Sequence, residues 1–260
     1  FNDGYGRFNK NYLGDKEILK ILNYCKAKKI SFLDTSNNYK EDFQKFDKAI
    51  IKYFNIIYKF SQTSDKSFKS IIEDLFSIKK NFAFEKIYCF MLHDEKDLNK
   101  FKKKYLNLIK KLKKLKIVKK FGISIYNFEN LEKYILDTNI DVIQLPLNVF
   151  DNRFDTKKIQ LALKKRKKKI EIHARSIFLQ GLLLQNHTSV DPIISENKLL
   201  FKRWDDFNQN RKNRKISNCI NFLNNNSKID KILIGVDNLK QLQEFVKIFL
   251  KKEKKKNFSI

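Results

Sequence analysis

The stretch Ile30-Ser31-Phe32-Leu33-Asp34-Thr35-Ser36-Asn37-Asn38-Tyr39 decides how this chain is read. Its apolar start, Ile30–Asp34, has the length of a buried strand and ends at a carboxylate, a group that cores rarely hold without a partner. Two further runs repeat the pattern. Asn55–Phe60 carries Lys59 one residue from its end, and Ile87–His93 ends at His93. The three polar residues are 25 and 34 residues apart, each interval near one strand-plus-helix unit of roughly 30 residues. Further short runs follow at Phe121–Ser124, Val142–Leu145, Glu171–Arg175 and Lys231–Gly235.

Helical periods fill the intervals. In Glu17–Ala27, Ile18, Leu19, Ile21, Leu22 and Cys25 share one face; in Phe68–Ile78, Ile71, Ile72, Leu75 and Ile78 do. Phe101–Leu115, Phe128–Leu136, Ile159–Lys165, Ile216–Leu223 and Leu239–Leu250 continue the pattern. Such alternation predicts a parallel sheet covered by helices. Seven strand candidates are one short of a closed eight-strand barrel. The missing strand is expected before Gly4, and residue 1 is Phe rather than Met, so the natural protein is expected to extend upstream by at least one strand. With no repeat or linker, residues 1–260 read as a single domain.

Composition limits the alternatives. Lys and Arg number 56 against 29 Asp and Glu, a net charge of +27. That excess suits an anionic partner, but no nucleic-acid motif accompanies it. Lysine is spread over nearly every helix. Lys110-Lys111, Lys113-Lys114 and Lys164 through Lys169 read as solvated helix faces, so no nucleic acid is expected as a partner. Cys25, Cys89 and Cys219 are odd in number and embedded in apolar periods, which predicts core packing in a reducing cytoplasm and no metal site. No apolar run reaches the roughly 20 residues that span a bilayer, and no signal-peptide pattern opens the chain.

Taken alone, Asp34 could cap a helix, Tyr39 could be a surface aromatic and His93 could be a core histidine. Their order and spacing argue for a joint role. Phe-Leu-Asp-Thr-Ser-Asn-Asn-Tyr, ending at Tyr39, resembles the Asp-Thr-Ala-x-x-Tyr signature of the aldo-keto reductases. Lys59 in Ile-Ile-Tyr-Lys-Phe and His93 in Cys-Phe-Met-Leu-His-Asp resemble that family's strand lysine and histidine. Phe-Gly-Ile-Ser, ending at Ser124, is similar to its Gly-Val-Ser. Gln144 and Asn148 match its Gln-x-x-x-Asn strand. Ala-Arg-Ser, with Arg175 and Ser176, then Gly-Leu-Leu, resembles its bacterial branches. Ile-Leu-Ile-Gly-Val with Gly235, then Gln241 and Glu244, is similar to its adenosine-side ending.

The resemblance implies a (β/α)8 TIM barrel whose first strand is missing from this chain. It implies an oxidoreductase using NADP or NAD on an aldehyde, ketone or sugar carbonyl, or on the matching alcohol, with a small-molecule carbonyl substrate as partner, no nucleic acid or membrane, and the oligomeric state left open. Tyr39 would donate a proton to the carbonyl oxygen. A free phenol titrates near 10, so the Lys59 ammonium would be needed to lower it. Asp34 would hold Lys59, and His93 would orient the carbonyl. Ser124, Gln144, Arg175, Ser176, Gly235, Gln241 and Glu244 would contact the cofactor. The chain departs from the family pattern at Ile125, where Asn is usual, and at Arg175, where many members have an aromatic. It departs again at Gly235 and Gln241, where basic residues often meet a 2′-phosphate. His173 reads as structural or supporting, and His187 has no evident role. The rival readings are a catalytically weak barrel acting as a regulatory or interaction protein, and an anion- or nucleic-acid-binding protein using the charge.

Overall fold

A computed structural model describes residues 13–36, 48–61, 72–73, 75–76, 87–250 and 257–259. Tyr39, most of the Phe68–Ile78 helix and the region before Gly4 lie outside these residues. In chain order the elements are α1 (Asp15–Ala27), β1 (Phe32–Ser36), α2 (Lys48–Ile51), β2 (Asn55–Phe60), β3 (Ile87–Leu92), α3 (Glu95–Lys114), β4 (Val118–Ser124), α4 (Leu131–Leu136) and β5 (Val142–Pro146). Then come α5 (Lys157–Lys165), β6 (Glu171–Arg175), a 3-10 helix (Leu179–Leu184), α6 (Pro192–Glu196), α7 (Lys198–Phe207), α8 (Lys212–Asn224), β7 (Lys231–Leu233), α9 (Leu239–Leu250) and β8 (Asn257–Ser259).

The eight strands form one sheet in sequence order, and every neighbouring pair is parallel. This is the (β/α)8 architecture. Strands β1 to β7 are the seven that periodicity indicates. The eighth comes from the C-terminal residues, where the sequence shows no strand period. It pairs with β7 through Ile232 and Phe258 and lies against β1, so the sheet curls into a nearly closed barrel.

Helices pack their apolar faces on the outside of the sheet. Ile18, Ile21, Leu22 and Cys25 of α1 and Leu242, Phe245, Val246 and Phe249 of α9 are buried, and the two helices touch. The helix-facing core is large and continuous, while a smaller apolar cluster of Ile57, Tyr88, Cys89, Met91 and Val142 fills the barrel itself. Gly122 faces this inner cluster: a Cβ there would lie 2.9 Å from the Met91 side chain and 3.0 Å from the Val142 carbonyl. The glycine of Phe-Gly-Ile-Ser is therefore required by close approach inside the barrel.

Two local expectations change. β1 runs to Ser36, so Asp34 lies mid-strand and deeper in the barrel than a strand end. The lysines at 113 and 168 are not merely solvated, because both grip the Asp141 carboxylate, at 2.5 and 2.6 Å. Burial opposes ionisation of Asp141, but bonds from Lys113, Lys168 and the Phe121 amide outweigh it and hold its carboxyl below the usual range.

Candidate active site

The C-terminal ends of the strands, where barrels of this kind collect functional groups, hold most of the residues singled out from sequence. The pairing of β1 with β2 sets Asp34 beside Ile57 and Ser36 beside Lys59, one step higher. From there the Lys59 ammonium reaches back to Asp34 Oδ2 at 3.3 Å. The pair is largely sheltered, with 12% of the Lys59 side chain and 9% of the Asp34 side chain exposed. Gln144 of β5 reaches the same oxygen across the barrel, its Nε2 donating at 2.9 Å. Asp34 Oδ1 and Gln144 Oε1 are buried and have no hydrogen-bond partner among the described residues. Asp34 is thus a barrel-interior ion-pair partner, and the helix-cap alternative is removed.

His93 sits immediately after β3. Its backbone N–H donates to the Phe60 carbonyl at 2.8 Å, and the next residue, Asp94, caps α3 by accepting from the Lys96 amide at 2.8 Å. The strand-to-helix turn therefore fixes the His93 backbone from both sides. Burial, then the nearby Lys59 and Arg175 charges, lower the His93 pKa from its ordinary value. A neutral imidazole at neutral pH follows, able to donate one hydrogen bond and accept another.

Tyr126, which the sequence reading did not single out, joins this group. Its ring stacks with His93 at 6.4 Å between centroids, and the Arg175 guanidinium lies 4.3 Å over it. The loop that carries it is held by Glu95, which accepts from the Tyr126 and Asn127 amides at 3.0 and 3.3 Å. The available signal was an aromatic two residues past a strand that ends at Ser124. Arg175 also donates to the Ile125 carbonyl at 2.9 Å and to Ser176 Oγ at 3.2 Å, and its buried Nε has no partner among the described residues. Ser176 lies in the left-handed region, φ 58°, as do Leu179 and Gln180 just beyond. Three non-glycine residues in that conformation within one loop is the kind of local strain that collects at ligand sites.

The remaining candidates are dispersed around the same rim. Ser124 and Gln144 are register partners on β4 and β5, both buried. Gly235 follows β7 and is exposed. Gln241 Oε1 accepts from the Asp237 amide at 2.7 Å, and Glu244 pairs with Lys212 at 3.7 Å. Asp34, Lys59 and Gln144 are thus in direct contact, His93 meets Arg175 through Tyr126, and Gln241 and Glu244 lie apart on α9.

Sites that would argue for other chemistry are absent among the described residues. No cluster of three or more potential metal ligands occurs, and no helix is long and apolar enough to cross a membrane. The three cysteines are buried free thiols, and burial pushes Cys25 and Cys219 up to about 12, so neither is a reactive thiolate at neutral pH. His187 has a structural partner. Its Nδ1 and backbone N–H both meet Asp205 Oδ2, at 2.7 and 2.6 Å, and the fully buried Lys215 neutralises Asp205 from the other oxygen.

A parallel barrel with a sheltered carboxylate, ammonium and imidazole gathered at the C-terminal rim defines a class, the TIM-barrel enzymes. Within it, the sequence matches the aldo/keto reductase family over residues 3–259, and the chain belongs to that family, whose members carry out carbonyl oxidoreduction. Solved structures of similar fold include the glycerol dehydrogenase of Gluconobacter oxydans, 16% identical, with a TM-score of 0.70 over 92% of this chain and 82% of that one. The holo form of an aldo-keto reductase from Bacillus halodurans is 17% identical, with a TM-score of 0.68 over 91% and 82% of the two chains. No curated protein matches the chain in sequence.

Proposed function

We propose that this chain acts as one barrel domain that reduces an aldehyde, ketone or sugar carbonyl, or oxidises the matching alcohol, with NADP or NAD. The observation that carries the reading is the Lys59–Asp34 pair at 3.3 Å inside a parallel barrel, beside a neutral His93. An ammonium sheltered to this degree has little structural value by itself. It has chemical value next to a phenol whose proton must move.

The cofactor would supply or accept the hydride at the carbonyl carbon. The protein's part is proton transfer and placement. In the reducing direction the Tyr39 O–H bond breaks and its proton passes to the carbonyl oxygen. Lys59 stabilises the phenolate left behind, and Asp34 holds Lys59 charged and in place. His93 donates a hydrogen bond to the carbonyl oxygen and fixes its direction. The polar groups present fit a nicotinamide cofactor. Gln144 Oε1 is a buried acceptor without a partner among the described residues, and one of its two lone pairs is suited to a carboxamide N–H, while Arg175 Nε is a buried donor without a partner there, suited to a phosphate oxygen. The protein would work in the cytoplasm on a small-molecule carbonyl.

Titration of the protein with NADPH and with NADH, followed by fluorescence, tests binding, and loss of reduced-cofactor absorbance with aldehydes, ketones and sugars tests turnover. Saturable binding of one cofactor with carbonyl-dependent oxidation supports the reading. Binding without turnover across all three substrate classes would instead favour a regulatory barrel, and no binding of either cofactor would overturn the assignment.

A further inference from the structure

Two polar clusters lie in the barrel, one at its floor and one toward its mouth, with one residue between them. At the floor, Glu171 of β6 accepts from Tyr88 of β3 at 2.7 Å, from Lys231 of β7 at 3.1 Å, from Lys120 of β4, and from His173 Nε2 at 3.0 Å. At the mouth, Gln144 donates to Asp34, which pairs with Lys59. His173 lies between. It is fully buried and sits beside Gln144 in the β5–β6 register.

The hydrogen-bond count in the gap is unbalanced in one direction. Because His173 Nε2 faces a carboxylate, it carries the hydrogen, which leaves Nδ1 as an acceptor. His173 Nδ1, Gln144 Oε1 and Asp34 Oδ1 are all buried and have no partner among the described residues. Gln144 neighbours His173 in register and holds Asp34 through its Nε2, so the three acceptors belong to adjoining side chains, and each unsatisfied buried group costs about 1–3 kcal/mol. A water molecule supplies two donors, enough for His173 Nδ1 and Gln144 Oε1, and leaves Asp34 Oδ1 open. The charged groups acting on His173 are Glu171 on its own strand, Lys231 on β7 and Asp34 on β1. Burial, the largest influence, lowers its pKa and favours the neutral ring that this arrangement needs.

We propose that His173 is a positioning residue for the reaction: a buried water donates to His173 Nδ1 and Gln144 Oε1, fixing the Gln144 amide so that its Nε2 holds Asp34, and Asp34 in turn holds Lys59. The inference rests on the oxidoreductase reading above. It gives the floor cluster a function, because Glu171 locks the His173 tautomer on which the bridge depends.

Two measurements test it. In the unsubstituted protein, nitrogen-15 NMR of the His173 ring should show the proton on Nε2 and a hydrogen-bonded, unprotonated Nδ1. A ring protonated on Nδ1 overturns the proposal whatever the activity. Kinetically, His173→Phe should lower kcat about tenfold, the low end of the effect of groups that orient a functional side chain. The substrate KM should hold, and the alkaline limb of the kcat profile should shift. His173→Gln, which offers a donor and an acceptor at its end, should restore most of the loss. A purely structural role would give equal stability losses with an unmoved pH profile, and that result overturns the proposal. If His173→Phe does not fold, the NMR tautomer decides alone. An unsubstituted protein that fails to turn over any carbonyl defeats the reading of function, whereas an active one with an unaltered His173→Phe profile defeats only this inference.

Discussion

The two ends of the barrel each hold a carboxylate against lysine, and they are finished differently. At the floor, Glu171 takes hydrogen from a tyrosine, two lysines and a histidine. Burial would raise its carboxyl, but bonds from His173, Lys120 and Tyr88 with the Lys231 charge reverse that and hold it well below the usual carboxylate range. At the mouth, Asp34 has Lys59 and Gln144 on one oxygen and, among the described residues, no partner on the other. A saturated cluster is committed to the fold, while an incomplete one keeps capacity for another molecule. On the proposed reading, the floor cluster holds the barrel and sets the His173 tautomer, while the mouth keeps its open groups for chemistry.

Four experiments would break or sharpen that division. The largest effect belongs to the mouth. Tyr39→Phe should cut turnover by about 10²–10⁴-fold, the usual worth of general acid–base catalysis, with cofactor affinity near the parent value. Lys59→Met should act on the same proton, so the double variant should be little worse than the worse single one. An active Tyr39→Phe would mean that the mouth's open valences serve something else. At the floor, Glu171→Leu strands Lys231, which is 3% exposed. Loss of one partner from such a buried pair costs about 3–5 kcal/mol, to be read from urea unfolding at neutral pH. An unshifted curve would show that the floor does not hold the barrel together.

The third effect is smaller. Arg175→Ala should raise the cofactor dissociation constant about tenfold or more, as one charge-assisted bond is worth about 1.5–3 kcal/mol, with less effect on kcat. An unchanged constant removes Arg175 from the site. The smallest is in pH. His173 and His93 have lowered pKa values in the folded state, so the unfolded chain takes up protons first, and stability should slip as pH falls through about 6.5. The depressed Glu171 contributes stability that is complete above its unfolded pKa, about 4.3, and is lost progressively below it. The urea midpoint should therefore decline gently from pH 7 to 5 and steeply below about 4.3. A flat profile between pH 7 and 5 would count against neutral buried histidines.

Much of this was legible in the sequence because it was local. Asn55–Phe60, Glu171–Arg175 and Leu239–Leu250 have in the structure the boundaries that periodicity gives them, since apolar spacing is written into consecutive residues. The placing of Asp34 and Lys59 on successive strands, and of His93 just past the third, followed from one interval per strand-helix unit. What the sequence withheld depends on contacts between distant positions. Glu171 looked like an ordinary strand start, and its role emerges only where β3, β4, β6 and β7 meet. His187 gained a purpose from Asp205 and Lys215, which lie on α7 and α8. β8 is three residues long and has no period, so only its pairing with β7 defines it.

That last strand imposes an order on events during synthesis. β1 is complete once Ser36 has been made, but the segment lying against it ends at Ser259. At about 5–20 residues per second, some ten to forty-five seconds separate the two. Until then the described β1 lacks that neighbour, and an unpaired strand edge is the kind that recruits other chains. The curl of the described strands is complete only once Ser259 has been added. Yield in an expressing cell should therefore respond to whatever shields that early edge, a slower thread or a chaperone, more than to any side chain at the mouth.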